Sequence, residues 1–169
     1  MQSNVPLLLT LDQIAPGDLF IFVDRYSDGY ALCLKAKYPG SEIDNHDAGR
    51  IIPIRWPAKQ SAVGVPIDQS ALTGRAIIPE EAKIEVDLTS VTFETHANGR
   101  EIFQTRNGLF ILLRNDLQTF GYVNVYTGAI SNFLESPAIC YSKWCISIKD
   151  GKGTRCNIFE IPDEAPPSK

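Results

Sequence analysis

Apolar and polar residues alternate with a period of two in short runs along the whole chain, and Gly, Asn, Asp or Pro bounds almost every run. A period of two puts successive side chains on opposite faces of a strand. The pattern therefore predicts an all-β fold, an antiparallel β-barrel or β-sandwich built from short hairpins, with little helix. Pro16-Gly17 turns the chain into residues 18–24 (DLFIFVD), Ser27-Asp28-Gly29 reverses it, and residues 30–37 (YALCLKAK) return. In the returning strand Leu32 and Leu34 share one face. Cys33, Lys35 and Lys37 share the other, which is expected to be the wetter one.

Residues 38–82 are the least regular part, punctuated by Pro39, Gly40, Gly49, Pro53, Pro57, Gly64, Pro66, Gly74 and Pro79. They predict one long irregular crossing loop with short apolar pieces, among them residues 50–55 and 63–67. A single helical turn is expected within residues 67–72, with Asp68 as its cap. Residues 83–88 (KIEVDL) alternate cleanly and predict a strand. Beyond them, Asn98-Gly99 predicts a hairpin between residues 91–95 and 101–105, and Arg106-Asn107-Gly108 turns into residues 109–115. Residues 120–126 and 129–134 form another pair around Thr127-Gly128, and residues 138–148 and 155–161 flank a turn at 149–153. Within 138–148, Ile139 and Tyr141 have the opposite parity to Trp144, Ile146 and Ile148. The phase slips near Ser142-Lys143, which predicts a bulge or a bend.

The chain has 169 residues, 44% of them apolar and 21% charged, which is the make-up of an ordinary folded domain. One β-rich domain over residues 1–162 is expected, with a split into two β-subdomains near residue 88 as the alternative and a frayed tail over 163–169. Sixteen Lys and Arg against twenty Asp and Glu give a net charge of −4, so no global positive field is present to gather nucleic acid. No apolar run approaches the roughly 18–20 residues needed to cross a bilayer, and the start of the chain lacks a basic, cleavable leader. A cytoplasmic protein without membrane contact is expected. On that basis Cys33, Cys140, Cys145 and Cys156 are read as reduced thiols.

Candidate chemistry is sparse. Asp44-Asn45-His46-Asp47 has metal-ligand residue types, but His96 is the only other histidine, and the cluster is read as a solvated polar turn; no metal and no cofactor are expected. Cys33 or Cys145 with His46 or His96 and Asp47 could form a thiol site, because a thiolate needs an imidazole at hand. Lys143, Lys149, Lys152 and Arg155 lie near Tyr141 and Trp144, a basic and aromatic mixture suited to a sugar or a single-stranded nucleic acid. Against it stands the ordinary role of Trp as core area. Glu80, Glu81, Glu85 and Asp87 form an acidic rim with Lys83 among them, and such a rim can steer a basic partner. Trp56, between Arg55 and Pro57 and close to Arg50, is either a plug under the irregular loop or an anchor for a partner.

Pro16-Gly17-Asp18-Leu19-Phe20-Ile21-Phe22 is similar to the motif that opens the central strands of papain-like cell-wall peptidases. No cysteine precedes it in a helical context, and residues 30–37 carry no histidine, so the resemblance implies no peptidase site here. The same segment, with the Asp-Gly turn after it, resembles the start of small β-barrel immunity proteins of bacterial toxin systems. No phosphate-binding loop, nucleophile elbow or carboxylate pair stands out. The expected function is that of a non-enzymatic binding protein of the immunity, inhibitor or adaptor kind, touching another protein through Trp56, Arg50 and Arg55. A cysteine-based enzyme and a sugar- or nucleic-acid-binding module using Tyr141 and Trp144 are the alternatives.

Overall fold

In the computed structural model, residues 7–24, 30–38, 49–55, 64–79, 81–92, 101–114, 118–150 and 152–161 are described. The elements in chain order are η1 (Leu11–Gln13), β1 (Leu19–Asp24), β2 (Tyr30–Ala36), β3 (Arg50–Arg55), β4 (Ile67–Asp68), η2 (Gln69–Ala71) and β5 (Gly74–Ile77). They are followed by β6 (Lys83–Val86), η3 (Leu88–Ser90), β7 (Val91–Thr92), β8 (Ile102–Thr105), β9 (Gly108–Arg114) and β10 (Thr119–Asn124). The last are β11 (Ile130–Ser131), β12 (Ile139–Tyr141), β13 (Trp144–Lys149) and β14 (Arg155–Ile161). All pairs of these strands are antiparallel, in three sheets of order β4-β3-β2-β1-β5, β11-β10-β9-β8-β12-β7 and β14-β13-β6. The fold is all-β, and the helical turns are single 3-10 turns. Among the described residues no helix is long and apolar enough to cross a membrane.

The first hairpin follows the alternation directly. Leu19 pairs with Leu34 and Ile21 with Leu32, so their common face turns inward together. The 3-10 turn at 69–71 forms as its cap predicts, with the Asp68 carboxylate accepting from the Ser70 amide at 2.9 Å. The stretch read as a crossing loop supplies β3, β4 and β5, three of the five strands of the first sheet.

Two expectations about pairing change. β7 and β8 do not form a hairpin: β12 lies between them, with Cys140 opposite both Thr92 and Phe103. A turn signal biases the backbone of a few residues, whereas strand neighbours are decided by which faces must be buried together. The phase slip at Ser142-Lys143 is a change of sheet. β12 belongs to the six-stranded sheet and β13 to the three-stranded one, so the apolar face inverts where the chain passes between them.

One core draws from all three sheets: Leu32, Leu34 and Ile52 from the first, Ile111, Leu113 and Val123 from the second, and Trp144, Ile146 and Ile161 from the third. The reverse face of the first sheet, expected to be wet, is also buried. Phe20, Phe22, Cys33 and Ile51 pack there under Leu11 and Ile14, and Leu9 is bridged to Ala76 of β5. Lys35 is 5% exposed on that face. Its ammonium donates to the Leu11 carbonyl at 3.2 Å and to the Gln69 side chain, which in turn donates to Asp12. A buried ammonium needs such acceptors, and the chain around η1 and η2 supplies them.

The first and second sheets meet where backbones touch. Lys37 N–H donates to the Gly128 carbonyl at 2.9 Å and Ile130 N–H to the Lys37 carbonyl at 3.0 Å, while Gly17 N–H is held by the Lys35 carbonyl of its own hairpin at 2.9 Å. Gly17 has φ +94°, and a Cβ there would stand 2.2 Å from the Tyr126 carbonyl oxygen. Only glycine fits this junction without displacing backbone.

A candidate binding cleft

A cleft of about 550 Å3 opens between the start of β1, the link from β5 to β6, and the turn after β10. Its size falls in the range of roughly 300–1,000 Å3 usual for binding pockets. Leu19 and Val125, both core residues, line it together with half-buried Ile84. Tyr126, 64% exposed, and Ile78, 39% exposed, stand among its lining with Asp18, Glu81 and Lys83. The alternation of β6 explains the arrangement. Ile84 and Val86 turn toward the core, while Lys83 and Glu85 turn outward.

Glu81 holds the entrance to β6. Its φ of +51° lies in the left-handed region, which non-glycine residues rarely adopt. Its carboxylate receives Lys149 Nζ at 2.5 Å, and Arg155 Nη2 stands 3.7 Å away. The hydrogen bond from Lys149 lowers its pKa below the usual range, aided by the charges of Lys149, Arg155 and Lys83 and opposed by partial burial. Arg155 also donates to the Ser147 hydroxyl at 2.8 Å and to the Glu81 carbonyl at 3.4 Å, so the start of β14 is tied to the link. Asp18 accepts from the Ala15 amide at 3.1 Å, fixing the lead-in to β1. Glu80 lies outside the described residues.

A second hollow of about 380 Å3 lies along β6 and β13, with Glu85, Asp87, Lys143, Cys145 and Glu160 around it. Cys145 sits opposite Glu85 on one side and Glu160 on the other. Burial and then these two carboxylates push its thiol pKa up. Burial drives the Cys33 thiol far up. The Cys140 thiol rises to about 11 through burial and the charge of Glu101. A nucleophilic cysteine needs the opposite shift, so these surroundings oppose a thiolate at Cys33 or Cys145.

Among the described residues, those singled out from the sequence are not brought together in one site. Trp144 is 4% exposed in the core, its ring 5.1 Å from that of Phe159, and Tyr141, also 4% exposed, donates its hydroxyl to Gln104 at 2.9 Å. Neither ring presents a face on which a base or a sugar could stack. Of the four cations beside them, Lys149 and Arg155 are engaged by Glu81. Arg50 pairs with Asp68 at 2.7 Å and lies over the Tyr38 ring at 5.6 Å, at the opposite end of β3 from exposed Arg55. Trp56, His46 and His96, with Asp44 and Asp47, lie outside the described residues. Among the described residues no group of three or more His, Cys, Asp and Glu is placed to hold a metal ion.

Tyr126, Ile78 and Asp18 were not legible as a site, since three separate segments carry them. The one local hint is that Tyr126 places a large ring directly before the Thr127-Gly128 turn. No protein-family model, no curated protein and no solved structure matches the chain.

Proposed function

We propose that this chain is a non-enzymatic binding protein of the immunity, inhibitor or adaptor kind, and that it holds another protein at the cleft between β1, β6 and the turn after β10. The observation that carries the reading is the cleft itself: apolar core residues reach its floor, and Tyr126 and Ile78 stand exposed at it beside charged groups. An exposed aromatic next to an apolar hollow with a charged surround is the usual form of a protein-contact anchor. The upward shifts of the Cys33, Cys140 and Cys145 thiols weigh against the cysteine-enzyme alternative. Of the loop residues read from the sequence, Arg50 is engaged by Asp68 and Tyr38, and Trp56 lies outside the described residues.

Capture of a partner from native extract by the tagged chain, through a series of salt washes, tests the reading. A stoichiometric protein is expected to be retained, and Tyr126→Ala to weaken its binding by about tenfold or more, as loss of an aromatic anchor does. A partner held equally well by the wild-type and Tyr126→Ala chains, or no partner at all, would refute it.

A further inference from the structure

Among the described residues the three sheets have six edge strands, and five of them are closed or blunted. β4, β7 and β11 are two residues long. β5 is covered at Ala76, where Leu9 makes hydrogen bonds of 2.8 and 2.9 Å with it. β14 carries a bulge, since Phe159 faces Ile146 and Asn157 faces Ser147. Short length, cover and bulges are the ordinary ways of protecting an edge from a foreign strand. β6 has none of them. Its pairing with β13 is regular over Lys83–Val86, and its first two residues, Lys83 and Ile84, line the cleft.

The ladder also determines which backbone groups β6 leaves over. Asp87 N–H donates to the Lys143 carbonyl at 3.0 Å, so Asp87 and Lys143 form a hydrogen-bonded pair. Antiparallel pairs alternate, which makes Glu85 with Cys145 the next bonded pair and turns the N–H and C=O of Ile84 and Val86 away from β13. Among the described residues nothing hydrogen-bonds these groups.

We infer that β6 is an acceptor edge: an extended segment of a partner protein, apolar at alternate positions and basic opposite Glu85, lies in the cleft as a fourth strand of the β14-β13-β6 sheet. This deepens the binding reading given above and rests on it. An added strand continues the pleat. Its residue opposite Ile84 faces the floor formed by Leu19 and Val125, and its neighbours face the outer side with Lys83 and Glu85. Along the outward face next to the open edge, exposed Glu85 and Asp87 outnumber Lys83, so charge complementarity selects a basic segment.

Amide hydrogen exchange on the full chain tests the inference. The probe is a blocked seven-residue peptide of alternating valine and lysine, with the valine and glutamate counterpart as control. In the free protein the Ile84 and Val86 amides are expected to exchange fast and that of Glu85 slowly; saturating lysine peptide should slow Ile84 and Val86 at least tenfold. Glu85→Lys changes an exposed side chain and leaves the core intact. It is expected to lower affinity for the lysine peptide about fivefold and to raise it for the glutamate peptide, the scale of an exposed charge pair. Slow exchange of Ile84 and Val86 in the free protein, no slowing by millimolar peptide, or indifference to the charge reversal overturns strand addition. Protection that grows with protein concentration alone marks pairing of two copies and overturns it as well. In each of these cases the capture experiment with Tyr126→Ala still decides whether a protein is bound at the cleft in another way.

Discussion

Replacing Gly17 by alanine probes the junction on which both the sheet packing and the cleft depend. Two costs add. An L-residue at φ +94° is strained by roughly 1–2 kcal/mol. The new Cβ would stand 2.2 Å from the Tyr126 carbonyl oxygen, 2.7 Å from its carbon and 3.2 Å from Thr127 N, all backbone atoms with no rotamer to change. Forcing one methyl into such a contact costs about 1–3 kcal/mol. The sum is about 3 kcal/mol, or a fall in Tm of about 6–12 °C for a chain of this size. Gly153 supplies the control: its φ is +81°, and a Cβ there meets nothing within 4 Å. Gly153→Ala therefore carries the strain alone. Urea unfolding followed by tryptophan fluorescence measures both variants, and the difference between them isolates the contact with Tyr126. Equal losses for Gly17→Ala and Gly153→Ala would show that the two sheets are not held as closely as the approach of Gly17 to Tyr126 and the hydrogen bonds of Lys37 and Ile130 require.

The thiols are expected to react in order of access and acidity. Exposed Cys156 labels first with a maleimide near neutral pH, half-buried Cys145 more slowly, and Cys33 and Cys140 only when the chain unfolds; mass spectrometry of timed samples checks this, and rapid labelling of Cys33 would contradict its burial. Stability is expected to fall on the acid side. Asp68, Glu81 and Asp87 are held below their ordinary range, chiefly by hydrogen bonds from Ser70, Lys149 and Thr89 respectively. Their contribution is present above the ordinary carboxylate range and is lost as the pH falls through it, below about pH 4. Urea midpoints from neutral pH downward at two salt concentrations measure it. Glu81→Gln should flatten the acid limb modestly, more so at low salt, because the pair is exposed, and an unchanged limb would count against the pairing with Lys149.

What the sequence determined by itself was local. Alternation over residues 19–24 and 30–36 was enough to define a hairpin, because strand faces and turns depend on residues a few positions apart. The Asp68 cap and the β6 strand were legible for the same reason. The slip at Ser142-Lys143 was visible too, but only as a change of phase, since its cause is a second sheet that local pattern does not describe. Tertiary structure alone decided the rest. It inserted β12 between β7 and β8 against a strong turn signal, and it buried Lys35 by laying η1 and η2 across a face whose residues read as wet. It also assembled the cleft from residues 17–19, 78–79, 81–84 and 125–126, none of which carries a recognisable site alone. Backbone preference acts over a few residues, while burial and an open edge depend on what packs against each face.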